Sequence, residues 1–223
     1  MVKTGDNIFN VLSIIALTLP LAPLLIVFIR RATHHALLNL LRVICLIAFF
    51  RQLVQYIPGL LQKDASFAGT AFELGEFILF YYLFKLSITQ KRVRDVMNIL
   101  LVSFISIVIT IYILKGLESF PVSIALVQSG ILILLAVISL LQMIGDKTLI
   151  LFREPLFWIA GGVLCYSGMF LFMETLLNYY PYLTANVQQE KAMVLSATDI
   201  FRFLFFIVAA MVAKSREPIA GSR

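Results

Sequence analysis

The sequence predicts an all-α membrane protein, a polytopic bundle of seven transmembrane helices forming one domain. Seven apolar runs occupy almost all of the 223 residues. Each is close to the roughly 20 residues that a helix needs to cross a hydrocarbon core of about 30 Å. Hydrophobic residues make up 61% of the chain and charged residues only 13%, about half the soluble norm of roughly 25%. A soluble core cannot absorb that much apolar surface in so short a chain, so lipid must cover part of it. The net charge of +6 is spread over short loops and forms no basic stripe, which argues against nucleic acid as a partner.

The runs place spans at 8–29, 36–57, 67–89, 96–114, 121–144, 155–178 and 193–213. Period-2 alternation is absent and the runs are too long for barrel strands, so each reads as a helix. Short loops make consecutive helices antiparallel neighbours. The first run begins without a basic leader and is too long for the apolar core of a signal peptide.

Pro20 and Pro23 fall inside the first span and predict a kink or an opened turn. Pro58-Gly59 ends the second, and Pro121 and Pro155 open the fifth and sixth. In the sixth span Gly161, Cys165 and Gly168 recur at i, i+4, i+7, a small-residue stripe that predicts close helix packing. Cys45 and Cys165 both lie in apolar runs and read as buried small hydrophobes, not a disulfide.

Lys and Arg set the orientation. One set of helix ends carries Arg30, Arg31, Lys91, Arg92, Arg94, Lys147, Arg153, Lys214, Arg216 and Arg223. The other carries only Lys3, Lys63, Lys115 and Lys191. The positive-inside rule places the N-terminus outside and the C-terminus in the cytoplasm, with the chain in the cell (inner) membrane. The segment Lys91-Arg92-Val93-Arg94 reads as a cytoplasmic loop that sets topology and contacts lipid. Both tails are short, so a ligand is met by the bundle and a signal leaves through a partner protein or a second copy.

Ionisable residues inside spans are costly and point to function. Arg51, Glu73, Glu76, Glu174, Asp199 and Arg202 fall at similar depth in the outer half, with Gln128 of the fifth span level with them. Glu73 and Glu76 share a face at i, i+3, as do Asp199 and Arg202. If these groups converge, the acids exceed the bases and the site favours a proton or a cation. The competing reading leaves Arg51 and Glu174 snorkelling to the interface, Asp199 paired along its own helix with Arg202, and Glu73 in a favourable first turn. Arg42 and Lys85 lie near the inner ends of their helices, where snorkelling is expected.

No metal centre is expected. His34 and His35 are adjacent and do not share a helix face, and no Cys, His or carboxylate set surrounds them at ligand spacing. His-Glu-x-x-His and Gly-x-Ser-x-Gly are absent, so no intramembrane hydrolase is predicted. No lysine in the middle of the last span anchors a retinal, and no cofactor is expected.

The stretch Phe72-Glu73-Leu74-Gly75-Glu76-Phe77-Ile78-Leu79-Phe80-Tyr81-Tyr82, and the segment from Glu154-Pro155-Leu156-Phe157-Trp158 to Gly168, resemble small seven-helix bacterial membrane proteins and the heptahelical membrane modules of bacterial sensors. That resemblance implies a non-enzymatic sensory or receptor-like subunit that relays a conformational change to a partner. The chain departs from full-length sensors in having no kinase, cyclase or extracellular sensory domain. Seven spans with the N-terminus outside also resemble small sugar transporters, but those repeat a Pro-Gln pair that this sequence lacks. A small-molecule or proton-coupled transporter and a structural subunit of a larger membrane assembly are the alternatives.

Overall fold

The structure, a computed structural model, describes residues 11–29, 36–56, 65–115, 122–145, 150–179 and 185–213. His34, His35, Pro58-Gly59, Pro121 and most of the loop charges that set the orientation lie outside these residues. All regular structure among them is helical: α1 (Val11–Ile29), α2 (Ala36–Tyr56), α3 (Ala65–Ser87), α4 (Lys91–Lys115), α5 (Val122–Gly145), α6 (Pro155–Tyr179) and α7 (Ala185–Val212). A short 3-10 turn, Leu151–Arg153, leads into α6. Six of these helices are long and apolar enough to cross a membrane. The seventh, α3, carries Glu73, Glu76 and Lys85 and is not among the six.

Two helices start earlier than their apolar runs. α4 begins at Lys91, not at 96, so Lys91-Arg92-Val93-Arg94 is its first turn and not a loop. α7 begins at Ala185, eight residues before the predicted 193. In both cases good helix formers with no Gly or Pro extend the helix beyond the apolar stretch. Hydropathy marks the lipid-compatible part of a helix, not its ends.

α1 is broken where its prolines predict. Pro20 has no N–H to donate, and the chain passes through a turn at Leu19–Pro20 before the helix resumes at Leu21. The Ala22 N–H donates to the Leu19 carbonyl at 3.0 Å, and the Thr18 hydroxyl bonds the Ile14 carbonyl. Pro155 takes the first position of α6.

The helices pack as a closed ring in the order α1, α2, α3, α5, α6, α7 and back to α1. α4 lies outside the ring against α3. It inserts Met97, Phe104 and Val108 and leaves Val96, Ile99, Val102 and Ile113 exposed. Each ring helix turns one stripe inward. On α2 it is Leu38, Leu41, Cys45 and Ala48; on α7 it is Phe203, Phe206, Ala209 and Ala210. The Cys45 thiol is buried as expected, while Cys165 is exposed.

α6 and α7 form the most extensive contact in the ring. A Cβ at Gly161 would sit 3.0 Å from the Phe205 ring. At Gly162 it would sit 3.0 Å from Phe205 Cβ and 3.1 Å from the Arg202 carbonyl oxygen. Gly168, by contrast, has nothing within 4 Å of that position. The predicted stripe of Gly161, Cys165 and Gly168 is therefore corrected to Gly161 and Gly162. Adjacent glycines straddle the crossing point, which lies near the start of α6, so the two later positions fall beyond it.

Candidate functional site

The inward stripes of three helices carry charge as well as apolar side chains. On α2 the stripe through Leu41, Cys45 and Ala48 continues one turn later to Arg51. On α3 Glu76 sits one turn before Phe80, and on α7 Asp199 and Arg202 sit one turn before Phe203 and Phe206. Helical periodicity alone thus turns these four charges toward the ring interior.

There they close a square of alternating sign. Arg51 Nη1 lies 2.9 Å from Glu76 Oε2, and Arg51 Nη2 lies 3.6 Å from Asp199 Oδ2. Arg202 Nη1 lies 2.7 Å from Glu76 Oε1, and Arg202 Nη2 lies 2.6 Å from Asp199 Oδ1. Each carboxylate bridges two arginines and each arginine two carboxylates. Gln52 Nε2 donates a further bond of 2.6 Å to Asp199 Oδ2. Relative exposures of 6%, 4%, 2% and 2% for Arg51, Glu76, Asp199 and Arg202 remove the group from both water and lipid. The Arg202 guanidinium also stacks 4.2 Å from the Tyr166 ring centroid of α6, a cation–π contact.

The square is not fully bonded. Arg51 Nε and Arg202 Nε have no hydrogen-bond partner. Glu76 Oε2, Asp199 Oδ1 and Arg202 Nη2 sit at ion-pair distance from opposite charge without hydrogen-bond alignment. Unsatisfied atoms in a buried network are costly and favour the entry of a further partner.

A cavity of about 50 Å³ opens beside the square, room for a few water molecules. Arg51, Glu76 and Arg202 line it together with Glu73, Gln128 and Tyr166. Glu73 makes no ion pair among the described residues. Gln128 Nε2 donates to the Glu73 carbonyl at 3.2 Å, which leaves its Oε1 buried without a partner. On the far side of the square the polar layer ends. Phe80 meets Phe206 at 6.0 Å, and Phe206 meets Phe203 at 5.6 Å, all almost fully buried. Glu76 to Arg202 and Phe80 to Phe206 both advance by four residues, so α3 and α7 run parallel here.

Of the predicted site residues, Arg51, Glu76, Asp199 and Arg202 come together, with Glu73 and Gln128 at their cavity. Glu174 does not join them. It pairs at 2.5 Å with Lys191 of α7. The sequence predicts Lys191 at a helix end, just before the span at 193–213; the early start of α7 instead places it within that helix, opposite the end of α6. Gln52 and Tyr166 were not predicted. Gln52 is a polar residue next to Arg51 inside an apolar run, a signal that could have found it. Nothing in the sequence distinguishes Tyr166 from the chain's other tyrosines.

Two further basic residues turn out to be tethered. Arg42 Nη2 donates to the Val27 carbonyl at 2.9 Å, capping the last turn of α1. Lys85 Nζ and the Tyr81 hydroxyl both donate to Asn98 Oδ1, at 2.8 and 2.9 Å, and tie α3 to α4. No group of three or more metal-ligating side chains occurs among the described residues.

No family model, curated protein or solved structure matches this chain.

Proposed function

We propose that the chain is a non-enzymatic, receptor-like membrane subunit that relays a conformational change to a partner protein or a second copy. All seven helices span the cell (inner) membrane in this reading, with the N-terminus outside and the C-terminus in the cytoplasm. α3 crosses despite its charges because the ring shields Glu76 from lipid. The observation that carries the proposal is the way the polar layer ends. A cavity walled by incompletely bonded ion pairs has Phe80 in its lining, and Phe80 packs on the buried Phe206, which packs on the buried Phe203. A transporter needs polar lining to continue to the other face; a receptor needs a site whose occupancy shifts helix packing. The square joins α2, α3 and α7, so a change in it reaches half of the ring.

Spin labels at Val43 on α2 and Leu141 on α5, both exposed, test the reading in proteoliposomes. A stepped pH or a solute titration should change the label distance, with no flux of proton or solute above that of empty vesicles. Sustained flux that Arg51→Gln abolishes would make the chain a transporter instead.

A further inference from the structure

We infer that Glu73 and Gln128 hold one small monovalent cation that donates hydrogen bonds, a hydrated proton or an ammonium ion, in the cavity beside the ion-pair square. The inference names the ligand class of the site on which the receptor reading rests. Four observations lead to it.

The first is the charge balance. Arg51 and Arg202 are matched one for one by Glu76 and Asp199. Glu73 is a fifth charged group at the same cavity, with no ion pair of its own among the described residues. An ionised Glu73 leaves the site one negative charge in excess, and one monovalent cation restores neutrality. An anion would raise the excess to two beside carboxylates already taken out of water.

The second is the orientation of Gln128. Its amide nitrogen is committed to the Glu73 carbonyl, so its oxygen is the free end. That oxygen is buried, lacks a donor and belongs to the cavity lining. A buried acceptor without a donor costs about 1–3 kcal/mol, and a donor entering the cavity relieves that cost. Ser129 and Ser167, both buried, line the same space.

The third is size. About 50 Å³ admits an ammonium ion or hydrated proton and excludes a sugar or nucleotide. The fourth is the ligand set. Mg²⁺ and Ca²⁺ take six or more oxygen ligands, commonly with several carboxylates. Here one carboxylate is uncommitted and two guanidinium groups stand beside it, which disfavours a divalent ion. Phe77, Phe80, Ala125, Leu132, Val163 and Phe170 make up the apolar part of the lining and add no side-chain oxygen.

The test uses the full chain in nanodiscs and follows its thermal midpoint. One arm titrates ammonium chloride at fixed pH, against sodium chloride and tetramethylammonium chloride at equal ionic strength. The other arm varies pH without ammonium. If ammonium is the ligand, it alone should raise the midpoint, by about 5–10 degrees at about 100 times its Kd. If the ligand is the proton, ammonium should do nothing, and the pH dependence of the midpoint should differ between wild type and Glu73→Gln. In either case Glu73→Gln should abolish the response, Gln128→Met should weaken it at least about tenfold in apparent affinity, and Glu174→Gln should leave it unchanged. Should Glu73→Gln not fold, Gln128→Met carries the test alone. No response in either arm, an equal response to sodium, or an undiminished response in Glu73→Gln or Gln128→Met would overturn the site. Flux with the response intact would remove the receptor reading and keep the site. Label movement without the response would do the reverse.

Discussion

Glu76 of α3 lies 2.7 Å from Arg202 of α7, two residues 126 positions apart in the chain and both almost fully buried. This pair joins the first half of the ring to the last helix. The opposite side of the square, Arg51 and Asp199, is longer at 3.6 Å and reinforced by Gln52. Removing one member strands a buried opposite charge, which typically costs about 3–5 kcal/mol.

That cost sets apart two arginines that look alike in the sequence. Arg51→Gln should destabilise the folded chain by about 3 kcal/mol or more, because Glu76 and Asp199 then share a single arginine. Arg42→Gln loses its bonds to the Val27 carbonyl and to Asn39 Oδ1, strands no opposite charge, and should cost about 1–2 kcal/mol. Unfolding in mixed micelles with graded denaturant measures both. Equal losses would mean that the square contributes no more than an ordinary cap.

The glycines make a second, steric pair. Gly162→Ala must push either Phe205 or the Arg202 backbone, and so displace the guanidinium that the square needs. It should lower the thermal midpoint and loosen the square together. Gly168→Ala meets open space and should be neutral, or stabilising by up to about 1 kcal/mol through helix propensity. Expression level and melting of the two variants, compared directly, decide it; a harmless Gly162→Ala would show that the α6–α7 contact is looser than described.

α4 hangs on a small polar knot. Asn98→Leu removes the acceptor shared by Lys85 and Tyr81 and leaves a lysine stranded between helices. Hydrogen exchange or proteolysis should then detect α4 loosening before the ring does. Protection lost equally across ring helices would contradict the placement of α4 outside the ring.

Orientation is checked by labelling. Lys63→Cys and Lys115→Cys should react with an impermeant thiol reagent from outside in a background without Cys45 and Cys165. Arg92→Cys and Lys147→Cys should react only after permeabilisation. The reverse pattern would invert the threading.

The helices were legible because an apolar run of about 20 residues, the length a bilayer demands, is read directly from the sequence. The square was legible for a related reason. A charge inside an apolar run has few places to go, so Arg51, Glu76, Asp199 and Arg202 announce themselves. Their partners were less so. Glu174 looked equivalent to Glu76, yet it pairs with Lys191, because that lysine lies on an extension of α7 that hydropathy cannot see. Gly168 looked equivalent to Gly161, yet which small residue packs depends on where two helices cross, which no single helix encodes. The exclusion of α4 from the ring has no sequence signature either. Its apolar residues are as plentiful as those of α5, and only the inward faces of its neighbours decide that it stays outside.

The central claim is that buried charges on separate helices act as one unit, and a double-mutant cycle between Arg51→Gln and Glu76→Gln tests it most directly. The account predicts a coupling of about 1 kcal/mol or more, with Glu76→Gln partly rescuing the loss caused by Arg51→Gln, since the second change removes the charge that the first one strands. Additivity within about 0.3 kcal/mol would contradict it, because residues joined at 2.9 Å in a buried network cannot fail independently.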